Sequence, residues 1–288
     1  MPDLTPFVVL GFALGGVFAM SGVGLVVLYR ATGVLNLAYG AIGALGAFIS
    51  WSLIQHGVPE WPAYIACILF GGLATLWYGV FFGPSFSARD PLIKAVGTLG
   101  FLVILIGTMQ WTWGRDAYSI TLPTSRWNYQ LGSARVSWTQ IIGVAFPILV
   151  TVGTAVFLRV SKMGTAMRAL ANDREITAML GVPVRRVEAA AWFGSGIVCG
   201  TAGLLLSNLV GLDIVGLSFL VIPALAAALI GQLKSLPITL AAGFVIGLVQ
   251  SCLTPFGSIT AYRSLTPFVL AIVALLFFAR RRQTLVRT

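Results

Sequence analysis

The chain has 288 residues, of which 58% are hydrophobic and 9% charged, with a mean hydropathy of +0.96. Those values exclude a soluble globular protein and describe an all-α polytopic membrane protein whose solvent is the lipid bilayer. A transmembrane barrel is excluded too, because its strands read as short alternating segments, whereas the runs here are continuous and about twenty residues long. The net charge of +10 would suit nucleic acid, but the basic residues stand at the ends of apolar runs, so they read as topology signals and no nucleic-acid partner is expected.

Nine apolar segments follow in chain order, at 7–29, 34–54, 62–83, 92–113, 138–160, 188–209, 217–233, 236–254 and 263–280. Eight or ten spans also fit, because 217–254 is a pair of short runs joined by Lys234-Ser235-Leu236-Pro237. The whole of 1–288 reads as a single transmembrane domain. Its first residues, Met1-Pro-Asp-Leu-Thr-Pro6, lack the basic region of a cleaved signal peptide, so the first run reads as a mature span. Small residues crowd that span (Gly11, Gly15, Gly16, Gly22 and Gly24), and in lipid such residues let helices approach closely.

Orientation follows from the cations. Placing 161–187 and Arg280-Arg281-Arg282 in the cytoplasm puts the N-terminus outside. Fourteen basic residues, among them Arg30, Arg89, Lys94, Lys234 and Arg287, then lie inside, against Arg115, Arg126, Arg135 and Arg263 outside. The one sizeable external segment is 114–137, with Pro123, Asn128 and Gly132 as turn formers and Trp111, Trp113 and Trp138 as an aromatic belt; it reads as a plain connection ahead of a contact for an external partner. His56 falls beside Gly57 and Pro59 in another external turn, as a solvated side chain. Cys67, Cys199 and Cys252 lie in apolar runs without disulfide or metal spacing.

The longest polar stretch is Ser161–Val187. Asn172 and Glu175 are spaced like a capping box, Asp173 and Glu175 suit a positive first turn, and Gly181 followed by Pro183 is a stop. The expected helix, 173–180, is about 12 Å long at about 1.5 Å per residue, too short to cross a bilayer. It is expected on the membrane surface, either as a solvated loop helix or as a docking helix for a soluble partner.

All eight acidic residues (Asp3, Glu60, Asp90, Asp116, Asp173, Glu175, Glu188 and Asp213) fall outside the span centres. Ion-coupled transporters commonly place carboxylates or histidines there, so the pattern favours a translocator energised from elsewhere over an ion-coupled secondary transporter or channel. It also disfavours a membrane-embedded hydrolase. No phosphate-binding G-x-x-x-x-G-K-[ST] is present, so ATP hydrolysis is assigned to another chain. A purely structural scaffold fits the small-residue packing but leaves the polar loop unexplained.

Two stretches interrupt the apolar pattern. Gly33-Val-Leu-Asn-Leu-Ala-Tyr-Gly40 carries two glycines and Asn36 at membrane depth, and Pro223 interrupts Leu220–Ala226. Discontinuous helices are expected at 33–40 and 220–226, either as kinks filled by neighbours or as a substrate path through Gly33, Asn36, Tyr39, Gly40 and Pro223.

Three stretches together resemble one family. Gly33–Gly40 is similar to the Gly-Val-x-Asn-Phe/Leu-Ala-x-Gly motif of branched-chain amino acid ABC permeases, and Thr98-Leu99-Gly100-Phe101 resembles a Thr-Ile/Leu-Gly segment of that family. Gly164-Thr-Ala-Met-Arg168-Ala169-Leu-Ala-Asn-Asp173, then Ala178-Met-Leu-Gly181, resembles its ATPase-docking loop. The resemblance implies a bacterial inner-membrane permease subunit of an ATP-driven importer for branched-chain or related small hydrophobic amino acids. It implies no enzymatic activity or cofactor in this chain; ATP and Mg would bind two cytoplasmic ATPase subunits. A second homologous permease and an external substrate-binding protein complete the implied assembly. Gly164, Arg168, Ala169, Asp173, Glu175 and Gly181 would form the docking loop. There are departures: Gly231-Gln232-Leu233-Lys234-Ser235 replaces a Gly-Gly-x-Gly-Ser/Thr turn, and Gln250 stands where Glu is common. They leave open a permease for another small polar solute, such as urea or an amide.

Overall fold

The computed structural model describes residues 4–86, 90–131, 134–256 and 260–286. Arg89, Gly132 and Arg287 lie outside the described residues, as do Met1 to Asp3. The helices in chain order are α1 (Thr5–Thr32), α2 (Tyr39–Gln55), α3 (Glu60–Phe81), the single turn α4 (Gly83–Phe86), α5 (Pro91–Trp113), α6 (Trp138–Val160), α7 (Lys162–Asn172), α8 (Arg174–Met179), α9 (Val184–Val210), α10 (Ile214–Ser218), α11 (Val221–Ile230), α12 (Leu236–Cys252) and α13 (Thr266–Val286). Five are long and apolar enough to cross a membrane: α1, α3, α5, α6 and α9. Four shorter apolar stretches, Tyr39–Gln55, Ile214–Ile230, Leu236–Cys252 and Tyr262–Phe277, occupy the remaining apolar positions, so this is a multi-pass membrane protein.

The end signals of α1 work through backbone geometry. Gly33 takes φ +68°, which only glycine adopts without steric cost, and its N–H closes the helix on Tyr29 O. Ser137 opens α6 with a full capping box: its hydroxyl accepts from Gln140 N–H while the Gln140 side chain accepts from Ser137 N–H.

Helix α1 is the centre of the bundle. Of its most apolar 18-residue window, 78% is buried, against 22% for α5 and α6, whose exposed Leu92, Val103, Ile104, Leu149 and Val152 present hydrocarbon at the periphery. The glycines of α1 explain how it takes that place. A Cβ on Gly11 or Gly15 would lie within 3 Å of the α12 backbone at Leu248 or Phe244, and one on Gly16 would strike Gly143 O in α6. Without a hydrophobic force between helices in lipid, such close backbone contact supplies the dispersion energy of association.

The 114–137 segment is more ordered than a plain connection. It contains a 3₁₀ turn, Pro123–Arg126, and a hairpin of β1 (Asn128–Leu131) and β2 (Ala134–Ser137), paired from Asn128–Ser137 to Leu131–Ala134. Tyr118 and Leu212 exchange backbone hydrogen bonds of 3.1 and 2.8 Å, which fastens this segment to the α9–α10 connection. Sequence reading missed the strands because polar alternation over four residues is a weak signal beside twenty-residue apolar runs.

Candidate functional site

The polar stretch folds as two helices rather than one. Ser161 caps α7, its hydroxyl accepting from Gly164 N–H at 2.8 Å, and α7 buries Gly164, Met167 and Leu170 on one face. Gly164 is needed there because a Cβ would strike Phe157 O and Leu158 Cα at the end of α6. The expected helix 173–180 is α8, but its cap is Asp173 rather than Asn172, which is the last residue of α7. Asp173 Oδ1 accepts from Ile176 N–H at 2.9 Å, so its carboxylate neutralises the start of α8. Gly181 takes φ +80° and turns the chain toward α9, as expected of a left-handed stop.

The sequence candidates of this loop divide by side. Gly164 is buried and Ala169 half-buried, whereas Arg168, Asp173, Glu175 and Gly181 are exposed. Beside them Ile176, Met179 and Leu180 are 53%, 78% and 77% exposed, an apolar tip on an otherwise polar loop. The loop is held to the bundle by Arg174, whose guanidinium contacts Glu188 Oε1 at 2.8 Å and so ties α8 to the first turns of α9.

The break at 33–40 is real, and its helix resumes deep in the bundle. Residues 33–38 are non-helical, and α2 begins at Tyr39. Tyr39 O accepts from the thiol of Cys199 at 2.7 Å. Cys199 is the sixteenth of the 27 residues of α9, so α2 starts beside the middle of α9, about 22 Å from its first residue. The connecting backbone is satisfied by a side chain from α5. Thr98 Oγ1 accepts from Leu37 N–H at 3.0 Å and donates to the cluster formed by Leu35 O (2.9 Å) and Ala95 O (2.8 Å). Asn36 Oδ1 accepts from Ala38 N–H at 3.1 Å. Asn36 and Tyr39 are 2% and 0% exposed, and Asn36 Nδ2 and the Tyr39 hydroxyl have no hydrogen-bond partner among the described residues.

The second break lies earlier than expected. Residues 221–226 are helical, and the interruptions fall at 211–213 and 219–220, on either side of the short α10. Pro223 does not break the chain, because it sits in the first turn of α11, where its missing N–H leaves no helical hydrogen bond unmade. The two breaks meet: a Cβ on Gly40 would strike Ser218 O and lie 3.0 Å from Leu217 O, so the C-terminal carbonyls of α10 face the N-terminal turn of α2. Opposite partial charges at those helix ends favour the contact.

Pro223 belongs to a different place from Asn36 and Tyr39. It lines a cavity of about 450 Å³, together with Phe18, Asp213, Leu220, Gln250 and Arg263. The cavity lies among α1, α10, α11 and α12 at the end of α9 opposite α8. Gln250 Oε1 is buried without a hydrogen-bond partner among the described residues. Neither Asn36 nor Tyr39 contributes to that lining.

Comparison with known proteins accords with this architecture. The model of the family described as branched-chain amino acid transport system / permease component matches residues 7–276. The high-affinity branched-chain amino acid transport system permease protein LivH of Salmonella typhimurium is 25% identical over 281 residues, covering 92% of this chain and 91% of LivH. The corresponding protein BraD of Pseudomonas aeruginosa is 26% identical over 300 residues, covering 96% and 95%. The fructose import permease protein FruG of Bifidobacterium longum is 27% identical over 239 residues, covering 79% and 68%. With nine-tenths of its length matched by the family model, the chain belongs to the branched-chain amino acid transport system permease family.

Proposed function

We propose that this chain is the translocating subunit of an ATP-driven importer for branched-chain or related small hydrophobic amino acids. In that assembly it pairs with a second permease, two cytoplasmic ATPase subunits hydrolysing MgATP, and an external substrate-binding protein, and the entire chain serves as one permease domain. The observation that carries the reading is the two-helix loop α7–α8. It sets an apolar tip of Ile176, Met179 and Leu180 among exposed charges, a composition that suits a protein partner better than a solvated connection. The basic residues of α7, α8 and the start of α9 support a cytoplasmic loop and, with five spans before it, an external N-terminus.

Mechanistically, closure of the ATPases pushes α8. The Arg174–Glu188 ion pair passes the displacement into α9, and Cys199 on the same helix bears on Tyr39 at the start of α2. Because α2 and α10 are half-helices meeting at Gly40 and Ser218, they rock without breaking a continuous hydrogen-bond ladder. Arg168, Asp173 and Glu175 supply the charges that orient the motor, while Gly164 and Gly181 permit the close turns.

The test is a crosslink. Met179→Cys in the whole complex, treated with a short bifunctional thiol reagent, is expected to link to an ATPase subunit carrying a matching cysteine, and Arg168→Glu is expected to abolish substrate-stimulated ATPase activity without lowering membrane insertion. Normal coupling in Arg168→Glu together with no crosslink from Met179→Cys would remove the loop from the mechanism.

A further inference from the structure

The cavity beside Pro223 contains an arrangement of charge that the packing of the bundle does not require. Asp213 and Arg263 both line it, yet no ion pair joins them among the described residues. One Asp213 oxygen accepts from Gly216 N–H at the start of α10, and the carboxylate is otherwise exposed. Gln250 Oε1, by contrast, is buried and has no hydrogen-bond partner among the described residues, an acceptor that loses its water on folding. Hydrocarbon makes up most of the remaining lining, with Leu14, Phe18, Leu220 and Pro223 and the 45% exposed Phe219.

We infer that this cavity binds the transported solute as a zwitterionic amino acid with an apolar side chain, an inference that rests on the importer reading above. Its volume of about 450 Å³ falls in the range of small-molecule sites. The guanidinium of Arg263 is a planar donor fork for the α-carboxylate. The α-ammonium carries three donors and no acceptor, which matches the unfilled acceptor of Gln250 and the carboxylate of Asp213. The cavity thus offers a cation and an anion on one lining to a ligand that carries both charges. The side chain then lies on the hydrocarbon wall, and Phe219 sets how large it is allowed to be.

Uptake by the complete transporter in right-side-out vesicles tests the assignment, with labelled L-leucine and L-phenylalanine supplied at concentrations that saturate the binding protein and with permease levels matched by immunoblot. Gln250→Leu is expected to lower leucine uptake about tenfold, the effect of one lost hydrogen bond to a charged group. Phe219→Ala is expected to raise the phenylalanine-to-leucine ratio, which a mere docking defect would leave unchanged because it slows both solutes alike. If wild type carries leucine while Gln250→Leu keeps the full rate and Phe219→Ala keeps the wild-type ratio, the cavity is not the site and the importer reading stands. If wild type carries arabinose and no amino acid, the importer reading itself fails.

Discussion

The Cα of Gly40, in the first turn of α2, rests against the carbonyl of Ser218, the last residue of α10, with no space for a side chain between them. One contact therefore joins the two interrupted helices of the chain, and it sets the carbonyl end of one against the N-terminal turn of the other. Gly40→Ala must push the carbonyl of Ser218 aside, in a region where both backbones are fixed by neighbours. Overpacking of this kind costs about 1–3 kcal/mol, so the variant is expected to melt several degrees lower in detergent and to transport poorly. Unchanged melting and uptake would show that the half-helices do not hold each other.

Thr98 is the second support of the same region. Its hydroxyl serves both Leu35 O and Leu37 N–H across a separation of more than sixty residues. Thr98→Val keeps the shape and removes both contacts, leaving buried backbone groups unpaired at about 1–3 kcal/mol, while Thr98→Ser is expected to retain most of the stability. Thermal melting of the two purified variants separates the hydroxyl from the methyl.

Asp173 controls the start of α8. Asp173→Ala removes the cap to Ile176 N–H and is expected to cost about 0.5–2 kcal/mol of local helix stability, whereas Asp173→Asn, another good capping residue, costs less. Hydrogen exchange of the α8 amides is the direct readout: faster exchange in Asp173→Ala and near-normal exchange in Asp173→Asn.

The Arg174–Glu188 pair is 45% and 19% exposed on its two side chains, so as a source of stability it is worth about 0.2–1 kcal/mol and weakens with salt. A double-mutant cycle with Arg174→Met and Glu188→Gln is expected to show that small coupling in melting and a larger one in transport-coupled ATPase activity. Equal effects on both would assign the pair to stability alone.

Much of this architecture was legible in the sequence because membrane segments announce themselves through long apolar runs, which no other element produces. The stop at Gly181 was equally readable, since a positive φ selects glycine wherever a helix ends sharply. What could not be read was which partners satisfy an interrupted backbone. Thr98 and Leu35 are remote in sequence, and nothing local at either position reports the other. The interruption near Pro223 was misplaced for a physical reason: proline is harmless in the first turn of a helix, so the residue marks the start of α11 rather than a break within it. Asn172 was a plausible cap by composition, but Asp173 holds the extended geometry that a cap requires, with φ −153° and ψ 115°. The apolar tip of α8 and the partnerless acceptor of Gln250 emerged only from three-dimensional burial.

The central claim is that solute moves because a separate nucleotide-driven motor displaces this chain. Proteoliposomes containing the complete transporter, with the binding protein outside and ATP or a non-hydrolysable analogue within, measure it directly. ATP is expected to drive leucine accumulation that persists after proton and sodium gradients are collapsed by ionophores, and the analogue is expected to give none. Accumulation that ignores nucleotide and follows an ion gradient would contradict the account.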